Sequence, residues 1–310
     1  MITSIFNKTR PINYIILFAL LLLFYITYQT DNFIIKAGLF NWTVKTVSFF
    51  VLLASLFLMH FIYNRNNLVK DNMYGAFFAF LFCILFPQVF DNSKIVCALF
   101  LLVLAFRRLI SLRSKLGIKQ KLFDSCVLIL LASLFYFWSI LFLAIVFYVI
   151  LFQTSFDFRN WLIPFIAVFI IASIVIMVEM ITNSGFIFSL VDSASLSYNF
   201  NLLKQDKLEF GILCFYAVLA ILFLFSSFIT AGSRSVNQHS VYNIFYLVLL
   251  VSIFIFLFTP VPNYALVSFS FFPLAILGSN MIENIERKWI KESFLITVTI
   301  IILVLYFIQL

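Results

Sequence analysis

Charge is what this sequence has least of. Asp, Glu, Lys and Arg fill 10% of its 310 positions, where a soluble domain typically carries about 25%. Hydrophobic residues fill 65%, and the mean hydropathy is +1.15. A soluble core of this size has too little interior to hide that apolar surface, so lipid must solvate the rest. Glycine and proline are scarce too, 7 and 6 residues against 44 phenylalanines. The bias toward Phe, Ile, Asn and Lys reads as mutational, the mark of an AT-rich genome. An aromatic stripe here reads first as lipid-facing filler.

Other absences exclude chemistry. His60 and His239 are the only histidines, too few for four-histidine iron catalysis. No HExxH, GxSxG or Walker A pattern occurs, so zinc-protease, serine-hydrolase and ATPase readings have no footing. Every lysine falls in a loop or at the end of an apolar run, which leaves none for a buried Schiff base. Cys83, Cys97, Cys126 and Cys214 all sit inside apolar runs without a CxxC partner. They read as small buried hydrophobes, not as a disulfide framework or zinc site. No metal and no cofactor is expected.

What is present is a succession of apolar runs of membrane-crossing length, about 20 residues each. They predict an all-α, polytopic transmembrane helical bundle forming one domain over 1–310. About ten or eleven spans are expected, near 12–29, 46–63, 73–90, 94–107, 122–137, 138–154, 161–181, 210–230, 241–259, 264–281 and 293–309. The fourth is short, and the fifth and sixth share one apolar stretch divided near Phe137, so either is a candidate for a bent or re-entrant element. Lys8 and Arg10 precede the first run, which ends at Gln29-Thr30-Asp31-Asn32 without a small-x-small cleavage pattern. It is expected to be a retained signal anchor.

Basic residues test this layout independently, because Lys and Arg are retained on the cytoplasmic side. With the N-terminus inside, the inner segments hold 15 of the 20 basic residues and the outer segments 5. Those five are Lys36, Lys45, Lys94, Lys204 and Lys207. A bacterial inner membrane with a cytoplasmic N-terminus is therefore the expected location. The net charge of +8 needs no nucleic acid, since anionic lipid headgroups are the natural partner of short basic loops. Its densest stretch, Arg107 to Lys121, includes Arg108, Arg113 and Lys115. Leu109, Leu112 and Leu116 share a helical face there, which predicts a basic amphipathic helix lying among headgroups. The same cations are also candidates for a phosphate clamp on a lipid-linked substrate. Only one outer loop is long, roughly Thr182 to Glu209, and it has room for an interfacial helix.

Carboxylates inside a membrane are costly and point to function. Glu179 lies within the seventh span, one turn from its outer end. Asp31 follows the first span on the outer side, Asp91 caps the third, and Asp124 stands at the entrance of the fifth beside Lys121. Pro273 sits mid-span and predicts a kink, Pro87 falls late in the third span, and Pro164 falls in the first turn of the seventh.

The opening Met1 to Tyr14, the stretch Arg107 to Ser114 and the stretch Arg159 to Pro164 resemble a family of flavobacterial inner-membrane proteins to which no activity is attached. The chain also resembles polytopic glycosyltransferases that use polyprenyl-phosphate sugars, through Asp31 just after the first span and the late run Asn263 to Leu277. That resemblance implies Asp31 as general base on an acceptor hydroxyl, with Lys36 and Lys45 holding the lipid phosphate. The first outer loop is shorter than in that class, and Asn32 stands where a second acid is often found.

Three functions follow as expectations. The first is a non-catalytic subunit or scaffold of an envelope assembly, in contact with other envelope membrane proteins. The second is a glycosyltransferase-like enzyme using a polyprenyl-phosphate-linked sugar at the outer leaflet. The third is a transporter or flippase of a lipid-linked or apolar substrate, with Glu179 as its coupling carboxylate.

Overall fold

The computed structural model describes residues 2–33, 39–153, 157–183, 185–194, 207–234, 236–259 and 263–309. Helix is the only regular structure among them. That outcome is dictated by the solvent: hydrocarbon offers backbone N–H and C=O groups no partner, so each segment must satisfy its own.

In chain order the helices are α1 (Ile2–Phe6), α2 (Pro11–Phe33), α3 (Leu39–Arg65), α4 (Tyr74–Leu85), α5 (Ser93–Ser111), α6 (Ile118–Phe135) and α7 (Leu143–Gln153). They continue with α8 (Phe158–Thr182), α9 (Phe186–Ser193), α10 (Lys207–Ile229), α11 (Val236–Phe258), α12 (Phe271–Asn284) and α13 (Lys288–Gln309). Tight 3-10 turns lead out of α4 (Pro87–Phe90) and into α7 (Phe137–Phe142) and α12 (Tyr264–Ser270).

Eight segments are long and apolar enough to cross a membrane: those of α2, α3, α5, α8, α10, α11, α12 with its leading turn, and α13. Three expected spans are less regular. Tyr74–Leu85 and Phe137–Gln153 are short apolar helices, and α6 carries Lys119, Lys121 and Asp124 in its first two turns. The fourth expected span is a full helix, Ser93–Ser111, with no re-entrant character. The division near Phe137 is made by Tyr136, whose extended backbone breaks the run between α6 and the 3-10 turn.

Polar contacts gather the helix ends into two groups. At one end Thr3 meets Glu292, Lys70 N–H meets Glu283, Arg108 meets Asp124, Lys119 meets Asp157, and Gln153 meets the Ser240 carbonyl. At the other, Lys45 meets Asp91, Gln88 meets Glu209, Asn263 meets Asn92, and Gln309 meets the Leu85 carbonyl. Among the described residues, eleven helical segments run between these groups, three of them made by α4, α6 and α7 with their adjoining turns. All fifteen residues of the larger basic set fall at the first end, the basic end, while Lys45, Lys94 and Lys207 fall at the other.

The interior is built on α4 and α12. Every residue of Tyr74–Leu85 is buried, as is nearly all of Tyr264–Asn284. Two glycines allow this closeness. A Cβ on Gly75 would come within 3.1 Å of the Tyr63 ring, and one on Gly278 within 2.8 Å of Phe223. The outer helices turn large apolar side chains outward, among them Phe165, Phe169 and Met180 of α8 and Phe225 and Phe228 of α10. Apolar area exposed on this scale requires lipid or a protein partner against it.

The prolines behave differently from expectation. Pro273 does not kink a helix midway: α12 begins at Phe271, so the proline occupies its first turn, and the residues before it wind as 3-10. Its missing N–H is one that no intrahelical carbonyl awaits. Pro164 is the reverse case. Because α8 starts at Phe158, the proline lies inside the helix and cannot donate to the carbonyl of Asn160.

Candidate anion-binding site

The basic stretch does not form an amphipathic helix lying among headgroups. Leu109 and Leu112 are buried in the bundle, whereas Leu116 is 73% exposed. The chain leaves α5 through the 3-10 turn Leu112–Ser114, reverses with Lys115 and Gly117 in left-handed conformations, and enters α6. This reversal clusters the cations, because it folds the last turn of α5 onto the first turn of α6. The end of α3 lies alongside, and Asn67, also left-handed at φ 49°, turns the chain away from it.

Between these three helix ends lies a cleft of about 550 Å³. Arg65, Arg107, Arg108, Arg113 and Lys121 line it, and no carboxylate does. Helix C-termini attract cations, since their last carbonyls are unsatisfied, and this accounts for part of the arrangement. Arg113 donates to the Asn66 carbonyl at 3.4 Å, and Lys121 donates to the Ser111 carbonyl at 2.8 Å and to Ser114 Oγ at 2.7 Å. Arg108 pairs with Asp124 at 3.3 Å, taking the partner that Lys121 was expected to have.

Arg65 and Arg107 are not explained this way. Their guanidinium carbons stand 5.8 and 5.0 Å from the centroid of the same ring, Phe61. Among the described residues neither forms an ion pair or a hydrogen bond. Two guanidinium groups on one aromatic ring repel each other, and an anion between them would turn that repulsion into two attractions. Each keeps its planar set of N–H donors, the geometry that matches phosphate or carboxylate oxygens in pairs.

The other candidate residues are dispersed. Asp31 lies in the last turn of α2, at the end opposite the cleft; its side chain, like all of Lys36, lies outside what the structure describes. Lys45 pairs with Asp91 at 2.9 Å and also donates to Gln29 Oε1 at 2.8 Å. Lys45 and Arg65 are both on α3, twenty residues apart, so about 30 Å of helix separates them. Lys115 is in the reversal but does not line the cleft.

Glu179 has a local partner. The chain leaves α8 at Asn183 in a left-handed conformation and starts α9 within three residues. Glu179 accepts the Gly185 N–H at 2.7 Å and the Phe186 N–H at 3.1 Å, satisfying donors at the start of α9. This short helix, Phe186–Ser193, falls in the long loop that had room for one; the Ser- and Asn-rich remainder lies outside the described residues.

Sequence reading included Lys121 in the basic stretch but passed over Phe61 and Arg65 as parts of a site. Phe61 and Arg65 are four residues apart, hence on one face of a helix, and that spacing was the available signal. The meeting of α3 with the α5–α6 reversal had none. Comparison with protein-family models, with curated proteins and with solved structures found no match. The cleft is therefore interpreted from its own geometry.

Proposed function

We propose that this chain is a multi-pass protein of a bacterial inner membrane whose cytoplasmic, basic end binds the phosphate of an anionic lipid or of a lipid-linked intermediate. The observation that carries the reading is the pair Arg65 and Arg107 on Phe61, without a carboxylate, in a cleft whose other charged lining residues, Arg108, Arg113 and Lys121, are all cations. The role fits a binding subunit or scaffold of an envelope assembly, which holds a lipid without transforming it. The transferase reading fits less well. Its base, Asp31, belongs to the opposite end of the bundle, and Lys45, its phosphate ligand, already has Asp91.

The test is lipid retention by the purified full chain in native mass spectrometry. Wild type should retain phosphatidylglycerol and polyprenyl phosphate over phosphatidylcholine by about tenfold or more, the equivalent of one charge-assisted contact. The double substitution Arg65→Gln, Arg107→Gln should abolish that preference without lowering thermal stability. Preference for polyprenyl phosphate over phosphatidylglycerol would name a lipid-linked intermediate; equal retention would name bulk lipid. A double variant that keeps the full anionic preference would defeat the proposal.

A further inference from the structure

A second cavity of about 570 Å³ opens at the same end, on the far side of the loop that follows α3. Asn67 belongs to the rim of both cavities, but their electrostatics differ. The charged residues lining this one are Lys70, Asp71, Arg234 and Glu283, two of each sign. Opposite charges so grouped would ordinarily neutralise each other in ion pairs. Here, among the described residues, no two of the four do.

Arg234 is held in place by neutral groups. Its guanidinium lies 3.7 Å over the Tyr242 ring, and it donates to Ser227 Oγ and Thr230 Oγ1 at 2.9 Å each and to Tyr246 OH at 3.2 Å. Three of its five N–H donors are used this way. The guanidinium is thus fixed in direction, with donors to spare and no counter-ion.

Glu283 is fixed just as firmly, but through one oxygen. Oε1 accepts the Lys70 N–H at 3.1 Å and the Asn72 Nδ2–H at 2.5 Å, while Oε2 has no partner among the described residues. The support behind it is buried: Asn72 also accepts from Ser279, and Asn280, one turn before Glu283 on α12, donates to the Tyr242 hydroxyl. Tyr242 therefore joins the two halves, under the guanidinium on one side and bonded to the α12 face on the other. Such a network is costly to assemble unless every member is satisfied, and the two groups it leaves unsatisfied are a cation and an anion at one cavity.

We infer that this cavity binds a small zwitterion, its phosphate or carboxylate on Arg234 and its primary ammonium on Glu283 Oε2. The chemistry is that of a phosphoethanolamine lipid head group or of a free solute of the same kind. Ile229, beside the rim residue Thr230, is 68% exposed on the apolar outer face of α10, so the cavity lies next to a lipid-facing surface. The inference stands apart from the Phe61 cleft, whose lining calls for an anion alone.

The experiment uses the purified full chain in detergent, with retention measured by native mass spectrometry and protection by thermal melting. The probes are phosphatidylethanolamine, phosphatidylglycerol and soluble phosphoethanolamine. Wild type should retain phosphatidylethanolamine several-fold over phosphatidylglycerol at this site, or be protected by soluble phosphoethanolamine; which of the two occurs names the source. Glu283→Gln keeps an oxygen for Lys70 and Asn72, so it should fold and melt like wild type yet lose the zwitterion preference. Arg234→Gln should lose it as well, and Arg234→Lys should recover part. Arg65→Gln with Arg107→Gln should leave it intact, which separates failure here from failure of the anion cleft. The inference is overturned if no probe distinguishes wild type from Glu283→Gln, or if, with Arg65→Gln and Arg107→Gln in place to silence the anion cleft, phosphatidylglycerol is retained as well as phosphatidylethanolamine and soluble phosphoethanolamine gives no protection.

Discussion

The Tyr63 hydroxyl donates a hydrogen bond to the carbonyl of Phe272, and its ring stacks on the Phe272 ring with centroids 5.3 Å apart. One side chain of α3 thus grips the α12 backbone beside Pro273, where 3-10 winding gives way to α-helix. Tyr63 is 1% exposed, so no water is at hand to replace it. Tyr63→Phe should keep the stack and lose the bond, costing about 1–3 kcal/mol. A thermal melt in detergent checks this, and an unchanged midpoint would show that the carbonyl has another partner.

Gly278 should tolerate no side chain. A Cβ on Gly278 would come within 2.8 Å of the Phe223 ring and 3.1 Å of the Phe78 ring, from α10 and α4. Gly278→Ala should destabilise by about 1–3 kcal/mol through overpacking. Adding Phe223→Leu should return part of that loss. A double-mutant cycle reads the coupling directly, and simple additivity of the two substitutions would contradict the geometry.

Asp157 should give the basic end a mild acid sensitivity. It caps α8, accepting the Arg159 N–H at 3.1 Å, and it pairs with Lys119 at 3.3 Å. The Arg159 N–H foremost, then Lys119, holds its carboxyl below the ordinary value. A depressed carboxylate contributes stability above its unfolded-state pKa and loses it as pH falls through the folded one. Stability should therefore decline below the normal Asp range, and by little, because the pair is solvent-exposed. Asp157→Asn retains a capping oxygen and should flatten this pH dependence; an unaltered profile would assign the acid sensitivity elsewhere.

Leu116, outermost in the α5–α6 reversal, reports orientation. In a chain with its four natural cysteines replaced by alanine, Leu116→Cys should resist a membrane-impermeant maleimide in intact cells and react once the inner membrane is opened. Labelling in intact cells would invert the topology deduced from the basic residues.

The positions of the helices were legible because hydrophobic length answers to bilayer thickness one segment at a time. The described Lys and Arg residues divide between the two ends as expected for the same reason: each loop carries its own charge, whatever the helices pack against. Pro273 and Pro164 were less legible. Whether a proline kinks a helix depends on where the helix begins, and α12 and α8 begin at residues that no composition rule selects.

The candidate sites divide in the same way. The sequence by itself determined that cations crowd the stretch Arg107 to Lys121 and that Glu179 stands near a span end. Only tertiary structure decided that Arg65 joins Arg107 over Phe61, that Glu179 caps α9, and that Arg234 and Glu283 border one cavity. The first and third of those contacts join elements that packing brings side by side; α4 is apolar and buried on every face, and α12 is buried nearly all round with Ser279, Asn280 and Glu283 among its residues. Where a helix is buried all round, hydropathy carries no record of which neighbour each face meets; steric fit at Gly75, Gly278 and the rings around them makes that choice.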